Sequence, residues 1–199
     1  MTENIDKKQL LTEFINSLTD NSWSNRNYSA VMSASGKNKA EWDSNFPIGL
    51  EDLTKFFIED SLNNVSLPER SEFLEMKTQA RLEFILTTYL KQFNNKDIII
   101  KLVSYFKTPE LILTSSGSAY LISNKFWNLI EDTSIDFNFY TKRLILMGVI
   151  VPTILFWTKD NSEDNKGTEQ YMKKCFKKSM GLGKVKNKIK SFFTKNMNF

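Results

Sequence analysis

The stretch DTSIDFNFYTKR, residues 132–143, gathers the side chains of this chain best suited to chemistry. Asp132 and Asp136 open it, Phe137, Phe139 and Tyr140 follow, and Lys142 and Arg143 close it. Paired carboxylates can move protons or hold a hard cation. Aromatics beside an arginine are the usual composition of a protein-binding hot spot. The rest of the chain narrows the choice. None of its 199 residues is histidine, so there is no imidazole base, no Ser-His-Asp or Cys-His nucleophile pair and no His-containing metal site. The single cysteine, Cys175, excludes an intrachain disulfide and a cysteine zinc cluster, and reads as an inert reduced thiol. There is no P-loop and no GxGxxG fingerprint. No enzyme is expected, and no cofactor or metal.

Asp136 is placed to cap a helix, its carboxylate favoured by the helix N-terminal dipole. Phe139, Tyr140 and Arg143 then lie one, three and four residues apart and share a helical face. Two readings remain open on these residues alone. In one, the face is an exposed binding patch. In the other, Phe139 and Tyr140 are core and Arg143 pairs with an acid.

The elements that must position this cluster are helical throughout. Residues 6–19 place Leu10, Leu11, Phe14, Ile15 and Leu18 on one face. Short helices follow at about 27–35 and 38–45, separated by the turn Ser35-Gly36-Lys37-Asn38, and a fourth begins near Gly49. Pro68 starts a helix that runs to about Phe93, Asn95 or Lys96 opens another through Phe106, and Pro109 starts one to about Asp132. Further helices are expected at 137–158 and 164–179. The apolar run 144–157 is too short for a typical span and contains Pro152, so it reads as a buried, kinked helix. The fold class is all-α with about ten helices. Three regions are expected: a helix-turn-helix-like domain at 1–66, a larger helical domain at 67–180, and a basic amphipathic helix at 181–199.

The first region resembles a DNA-binding module in its helix spacing. Its charge opposes that use, because six bases face ten acids within residues 1–66. The chain's positive charge is a C-terminal property: beyond Glu169 there are lysines and no acids. In the last segment Leu182, Val185, Ile189, Phe192 and Phe193 form one helical face, and Lys184, Lys186, Lys188 and Lys190 fill much of the rest. That pattern fits a helix lying on an anionic membrane.

Three blocks carry a resemblance. DTSIDFNFYTKRLIL, followed by FWTKDNSEDNKGTEQYMKK, is similar to a pattern of Asp, a short gap, Ser/Thr-x-Asp-Phe-Asn, an aromatic and Tyr-Thr-Lys/Arg-Arg, with the helix ending in Asp-x-Ser. EWDSNFPIGLEDLTKFFIED and LLTEFINSLTDNSWS are similar to two further blocks. Together they resemble the lipid-binding accessory proteins of coenzyme Q (ubiquinone) biosynthesis, the ninth of the Coq series, over about residues 5–180. The resemblance implies a tetracycline-repressor-like all-α fold with a helix-turn-helix that is not used for DNA. It also implies a lipid cavity for an isoprenoid quinone intermediate or phospholipid, a terminal membrane-contact helix and no catalysis. The implied partner is the di-iron hydroxylase of demethoxyubiquinone, docked on Asp136, Phe139, Tyr140 and Arg143. Candidate cavity walls are Leu82, Ile85, Leu86, Leu102, Phe106, Trp127, Leu144 and Met147. Periodicity alone does not separate a lined cavity from a filled core. Phe139 departs from the pattern, which has Trp there, and Pro152 interrupts a helix that is usually proline-free. The expected location is cytoplasmic, peripheral on the inner membrane of a bacterium, with a homodimer possible and no nucleic acid partner. The alternative is a tetracycline-repressor-like regulator sensing an apolar ligand.

Overall fold

Helical periodicity becomes ten α-helices in a computed structural model that describes residues 2–179. No strand occurs among the described residues. In chain order the helices are α1 (Thr2–Ser17), α2 (Asn25–Ala34), α3 (Lys39–Asn45), α4 (Leu50–Asn63), α5 (Arg70–Glu75), α6 (Thr78–Lys91), α7 (Lys96–Phe106), α8 (Ile112–Leu129) and α9 (Asp136–Trp157). A further helix, α10, occupies 166–179. Short 3-10 turns, Pro109–Leu111 and Glu163–Asn165, precede α8 and α10.

The chain forms two units. The first holds the chain up to Val65 and Lys91–Ile122, and the second holds Ser66–Leu90 and the chain from Ser123. The chain first passes between the units at Val65–Ser66. Residues 91–122 belong to the first unit, although the sequence reading placed them in the larger domain. The segment 181–199, with Leu182, Val185, Ile189, Phe192, Phe193 and its lysines, lies outside the described residues.

In the first unit an aromatic series fills the centre. Phe14 meets Trp23 edge-on at 5.2 Å, Trp23 meets Phe57 at 5.2 Å, and Tyr28 meets Trp42 at 5.3 Å. Such pairs contribute about 0.5–1.5 kcal/mol beyond their burial. The buried indole N–H of Trp23 donates to Thr54 Oγ1 at 2.9 Å, so its burial leaves no orphaned donor. The α2–α3 turn passes through Gly36 at φ 70, and Asn38 and Glu41 close a reciprocal capping box on α3. At the start of α4, Gly49 holds φ 67 and ψ −127, a region open essentially to glycine alone. The Asp52 carboxylate accepts from the Ile48 N–H at 2.7 Å and ties the preceding turn to the helix.

The second unit corrects two expectations. One continuous helix from Pro68 to Phe93 is replaced by α5 and α6, with Met76 extended at ψ 143 between them. The break lets the buried Phe73 ring approach Phe84 to 6.3 Å. Eleven residues along an unbroken helix would hold them about 16 Å apart. The other correction is the N-cap of α9, which is Ile135; Asp136 follows it at φ 55 and is not the cap. α9 runs unbroken through Pro152 and is, by length and composition, the one described helix apolar enough to cross a membrane.

Gly49→Ala is expected to destabilise the protein by about 1–3 kcal/mol, because alanine resists that backbone conformation. Gly117→Ala, inside α8 with open space around its Cα, is expected to stabilise by about 0.5–1 kcal/mol. Chemical denaturation midpoints of the two variants check this opposition.

Candidate functional site

The 132–143 cluster is built on the end of α8 and the start of α9, all within the second unit. α8 ends in a Schellman turn. Glu131 adopts φ 59, its N–H donates to the Asn128 carbonyl at 3.0 Å, and the Asp132 N–H donates to the Trp127 carbonyl at 3.0 Å. The turn is unusual in using a non-glycine residue at positive φ. Arg70 reaches the Glu131 carboxylate at 2.7 Å, and Arg81 donates to the Ile130 carbonyl at 3.2 Å. Both tie this corner to neighbouring helices of the same unit.

The turn aims the Asp132 carboxylate at α9. Its side chain is 4% exposed, and it accepts from Lys142 Nζ at 2.6 Å, Arg143 Nη1 at 3.3 Å and the Ser134 hydroxyl. Burial pushes the Asp132 carboxyl up, and the hydrogen bonds from Lys142, Ser134 and Arg143 together with the Lys142 charge outweigh it. The net effect is a carboxyl held below its ordinary range.

Arg143 is fully buried. Its guanidinium lies 3.3 Å over the Phe139 ring, and its Nε donates to Asn124 Oδ1 at 2.7 Å. Nη1 also donates to the Phe139 carbonyl at 3.0 Å, and Nη2 reaches Asn128 Oδ1 at 3.5 Å. Asn124 and Asn128, four apart on α8, present both amides to one side chain of α9. The two helices are also stitched through backbone: Ser123 donates to the Arg143 carbonyl at 2.8 Å, and the Trp127 indole donates to the Lys142 carbonyl at 3.2 Å. Lys142 sits 5.0 Å over the Trp127 ring. This is a helix-to-helix brace around one buried cation, and no reactive pair emerges from it. Among the described residues no three acids or cysteines converge as a metal site would require.

The four residues expected to share an exposed face do not share one. Arg143 is buried, Phe139 is half-buried beneath it, and Tyr140 is 60% exposed. Asp136 is exposed at the helix start. The geometric reason is that Arg143 must reach Asp132, which turns its side of α9 toward α8. The exposed stripe lies elsewhere on the helix, at Phe137, Tyr140 and Leu144, spaced three and four apart and each at least 60% exposed. Tyr140 stands edge-on to Phe139 at 5.1 Å. The stripe continues through Val151 and Leu155, each 40% exposed.

The eight candidate cavity walls divide. Leu82, Ile85, Leu86 and Trp127 are buried in the second unit and Leu102 in the first. Phe106 and Met147 are half-buried. Leu144 is 60% exposed, on the outer stripe with Tyr140, and therefore does not wall an enclosed cavity. An open cleft of about 800 Å³ in the first unit is lined by Trp23, Glu51, Lys101, Tyr105 and neighbouring polar residues, and by none of the eight. Burial and the Glu51 charge push the Tyr105 phenol up, so it stays protonated at neutral pH.

The far end of α9 is pinned by a second carboxylate. Asp160 accepts from the Thr168 hydroxyl and N–H at 2.6 and 2.7 Å and from the Ser162 N–H at 2.9 Å. The Gly167 N–H donates to Ser162 Oγ at 2.8 Å. The Asp-x-Ser pair therefore caps the first N–H groups of α10 from the preceding turn. The Thr168 hydrogen bond, first among several, holds the Asp160 carboxyl far below its ordinary range.

The α3 helix, weighed as a recognition helix, points Trp42 inward. Its Lys39 pairs with Asp43 at 4.0 Å, and Glu41 is held in the capping box.

These two carboxylate-centred corners lie within the stretch that comparison with known proteins picks out. The family model named COQ9 matches residues 112–183. Over this segment the chain is similar to the COQ9 family. Three curated relatives, each named ubiquinone biosynthesis protein COQ9, mitochondrial, align with the chain. The Bos taurus protein is 25% identical over 130 residues, which is 65% of this chain and 39% of that protein. The Rattus norvegicus protein is 27% identical and the Homo sapiens protein 25%, each over 120 residues, 60% of this chain and 36% of theirs. The alignments thus span well under half the length of the COQ9 relatives.

Asp132, Asn124 and Asn128 escaped assignment as site residues. The signal was present for Asp132, an acid eleven residues before a helical arginine across a short turn. It was weak for the two asparagines, whose i, i+4 spacing is common on exposed helices.

Asp132→Asn is expected to cost about 3–5 kcal/mol, because it leaves Arg143 buried beside a neutral partner. The sign with pH follows from the depressed carboxyl. Its stabilisation is complete above the unfolded value of about 3.9 and is lost as pH falls through the lower folded value. Thermal melts of the wild type from neutral pH downward should show stability falling below about pH 4, with a shallower acid dependence in Asp132→Asn.

Proposed function

We propose that this chain is a non-catalytic accessory protein of ubiquinone biosynthesis that binds an isoprenoid lipid and presents it to a hydroxylase. The single observation that carries the reading is the COQ9 match over residues 112–183, which contains the whole brace and the outer stripe of α9. The chemistry of the described residues supports it. The buried Arg143 is satisfied by structural partners, and α9 carries a stripe of exposed apolar side chains at Phe137, Tyr140, Leu144, Val151 and Leu155. Presenting a lipid needs apolar surface and a docking face, and no bond made by the presenter.

In this reading the hydroxylase, a di-iron enzyme acting on demethoxyubiquinone, docks on the outer stripe of α9. The anchors are Phe137, Tyr140 and Leu144, with Asp136 at the rim. Arg143 and Phe139 act from behind by fixing the helix rotation. An exposed aromatic pair with a leucine one turn on has the composition of an interface centre. The cargo is held among apolar side chains such as Leu82, Ile85, Leu86 and Trp127. The protein works at a membrane surface, where such a lipid resides.

The test is native mass spectrometry of the purified full chain with extraction and identification of bound lipid. A stoichiometric isoprenoid or phospholipid is expected, and a lipid-free protein under gentle conditions would overturn the cargo role. For the docking face, Tyr140→Ala is expected to weaken binding of the di-iron hydroxylase by about tenfold or more without lowering the melting temperature. Titration of labelled hydroxylase measures this; unchanged affinity would remove the stripe from the interface.

A further inference from the structure

The open cleft of about 800 Å³ in the first unit is used by none of the roles assigned above. Its walls come from the turn after α1, the first turn of α4, the later part of α7 and the 3-10 turn before α8. Its volume is that of sites that take a small molecule, roughly 300–1,000 Å³. Asp20, Glu51 and Glu110 line it, and all three are exposed. None of the three makes an ion pair among the described residues. Lys101 is the one cation of the lining, and three carboxylates against one ammonium leave a net charge of −2. That ammonium is already engaged, because it donates to the Leu18 and Thr19 carbonyls at the end of α1.

A second observation falls in the same place. Tyr105 of α7 lines the cleft, and its hydroxyl is shielded from water without a hydrogen-bond partner. An unpaired buried hydroxyl is a cost to the fold that few native groups carry. Glu51 lies near enough for its charge to act on the phenol, so the acid and the orphaned hydroxyl belong to one neighbourhood. Leu111 adds an aliphatic patch to the wall.

These groups select the chemistry of an occupant. Anions, whether phosphates, nucleic acid or an acidic membrane, are repelled by the unpaired carboxylates. A single metal ion is poorly served, because no three acids converge among the described residues. Carboxylates spread around a cleft suit positive charges spread along a chain. The cleft already shows how it holds one ammonium, in the bonds of Lys101 to backbone carbonyls. The phenol oxygen has lone pairs free to accept from another.

We propose that this cleft binds a free aliphatic polyamine, with Asp20, Glu51 and Glu110 pairing its ammonium groups, the Tyr105 oxygen accepting from one of them and Leu111 lying against the methylene stem. The site shares no residue with the proposed cargo or docking face, so it stands or falls apart from them. Binding should weaken as salt rises, since the pairs sit in an open cleft.

The experiment is isothermal titration of the full chain with spermidine at fixed low salt, with 1,6-hexanediol as the uncharged stem. Saturable one-to-one binding of spermidine is expected, and none of the diol. A variant carrying Glu51→Gln and Glu110→Gln should bind about tenfold more weakly. Both carboxylates are exposed, so this variant should melt close to the wild type. Tyr105→Phe should bind about fivefold more weakly while melting no lower than the wild type, because it removes a hydroxyl that has no partner in the free protein. That opposition of binding and stability is what a merely structural tyrosine would not give. Absence of saturable binding would overturn the proposal. So would equal affinity in the wild type and both variants, which would mark the amine as a loose counterion. A lysine tripeptide that binds more tightly than spermidine would also overturn it, by assigning the cleft to a protein's side chains.

Discussion

A fully buried guanidinium cannot be left unneutralised, and the architecture around residues 123–157 is arranged to satisfy Arg143. Asp132 supplies the countercharge, Asn124 and Asn128 supply neutral acceptors, and Phe139 supplies a ring face beneath the cation. Each of these depends on a local device. The Schellman turn carries Asp132 into place, helical spacing on α8 aligns the two asparagines, and the first turn of α9 puts Phe139 four residues before the arginine. A buried ion pair is seldom a large net source of stability. Its value here is registry: one cation with several directional partners admits one rotation and one height of α9 against α8.

That rotation has consequences along the helix. With Arg143 inward, Leu146, Val149, Ile150, Thr153 and Trp157 follow it into the buried side, and Phe137, Tyr140 and Leu144 are turned out. Thr153 satisfies its buried hydroxyl by donating to the Val149 carbonyl at 2.7 Å. At the other end Asp160 and Ser162 fix the start of α10, whose buried residues meet the core while its lysines face out. The two carboxylates Asp132 and Asp160 thus act as anchors of geometry. Both are held below the usual carboxylate range by hydrogen bonds, which suits permanent acceptors and not proton carriers.

Much of the fold was legible in the chain. Caps such as Asn38 and Asn95 and the glycine at 49 mark helix ends, because their side chains or φ angles satisfy local backbone. The break at Met76 was not legible, because it exists so that Phe73 can pack on Phe84, a tertiary demand with no local signature. The assignment of Gln92 and its neighbours to the first unit was hidden for the same reason. At the site, spacing correctly grouped Phe139 and Arg143, and it could not say which side of α9 faced inward. An amphipathic stripe normally decides that question. α9 is apolar nearly all round, so the deciding element is a charge, and the expectation that arginine faces water misled. Leu144 was misplaced by the same inversion. Phe139, standing where the resembled pattern has tryptophan, still supplies a ring face to the Arg143 cation.

The measurement that bears most directly on this account is a double-mutant cycle on stability, using Asp132→Ala, Arg143→Met and the double variant. The account predicts that the Asp132→Ala single variant costs several kcal/mol, about 3–5, by stranding the arginine. It predicts that the double variant costs less than the two singles added, with a coupling of about 2 kcal/mol or more. Singles that each cost less than about 0.5 kcal/mol, as at an ordinary exposed position, would contradict it. Arg143 would then be free to face a partner, and the register of α9 would have to be set by something else.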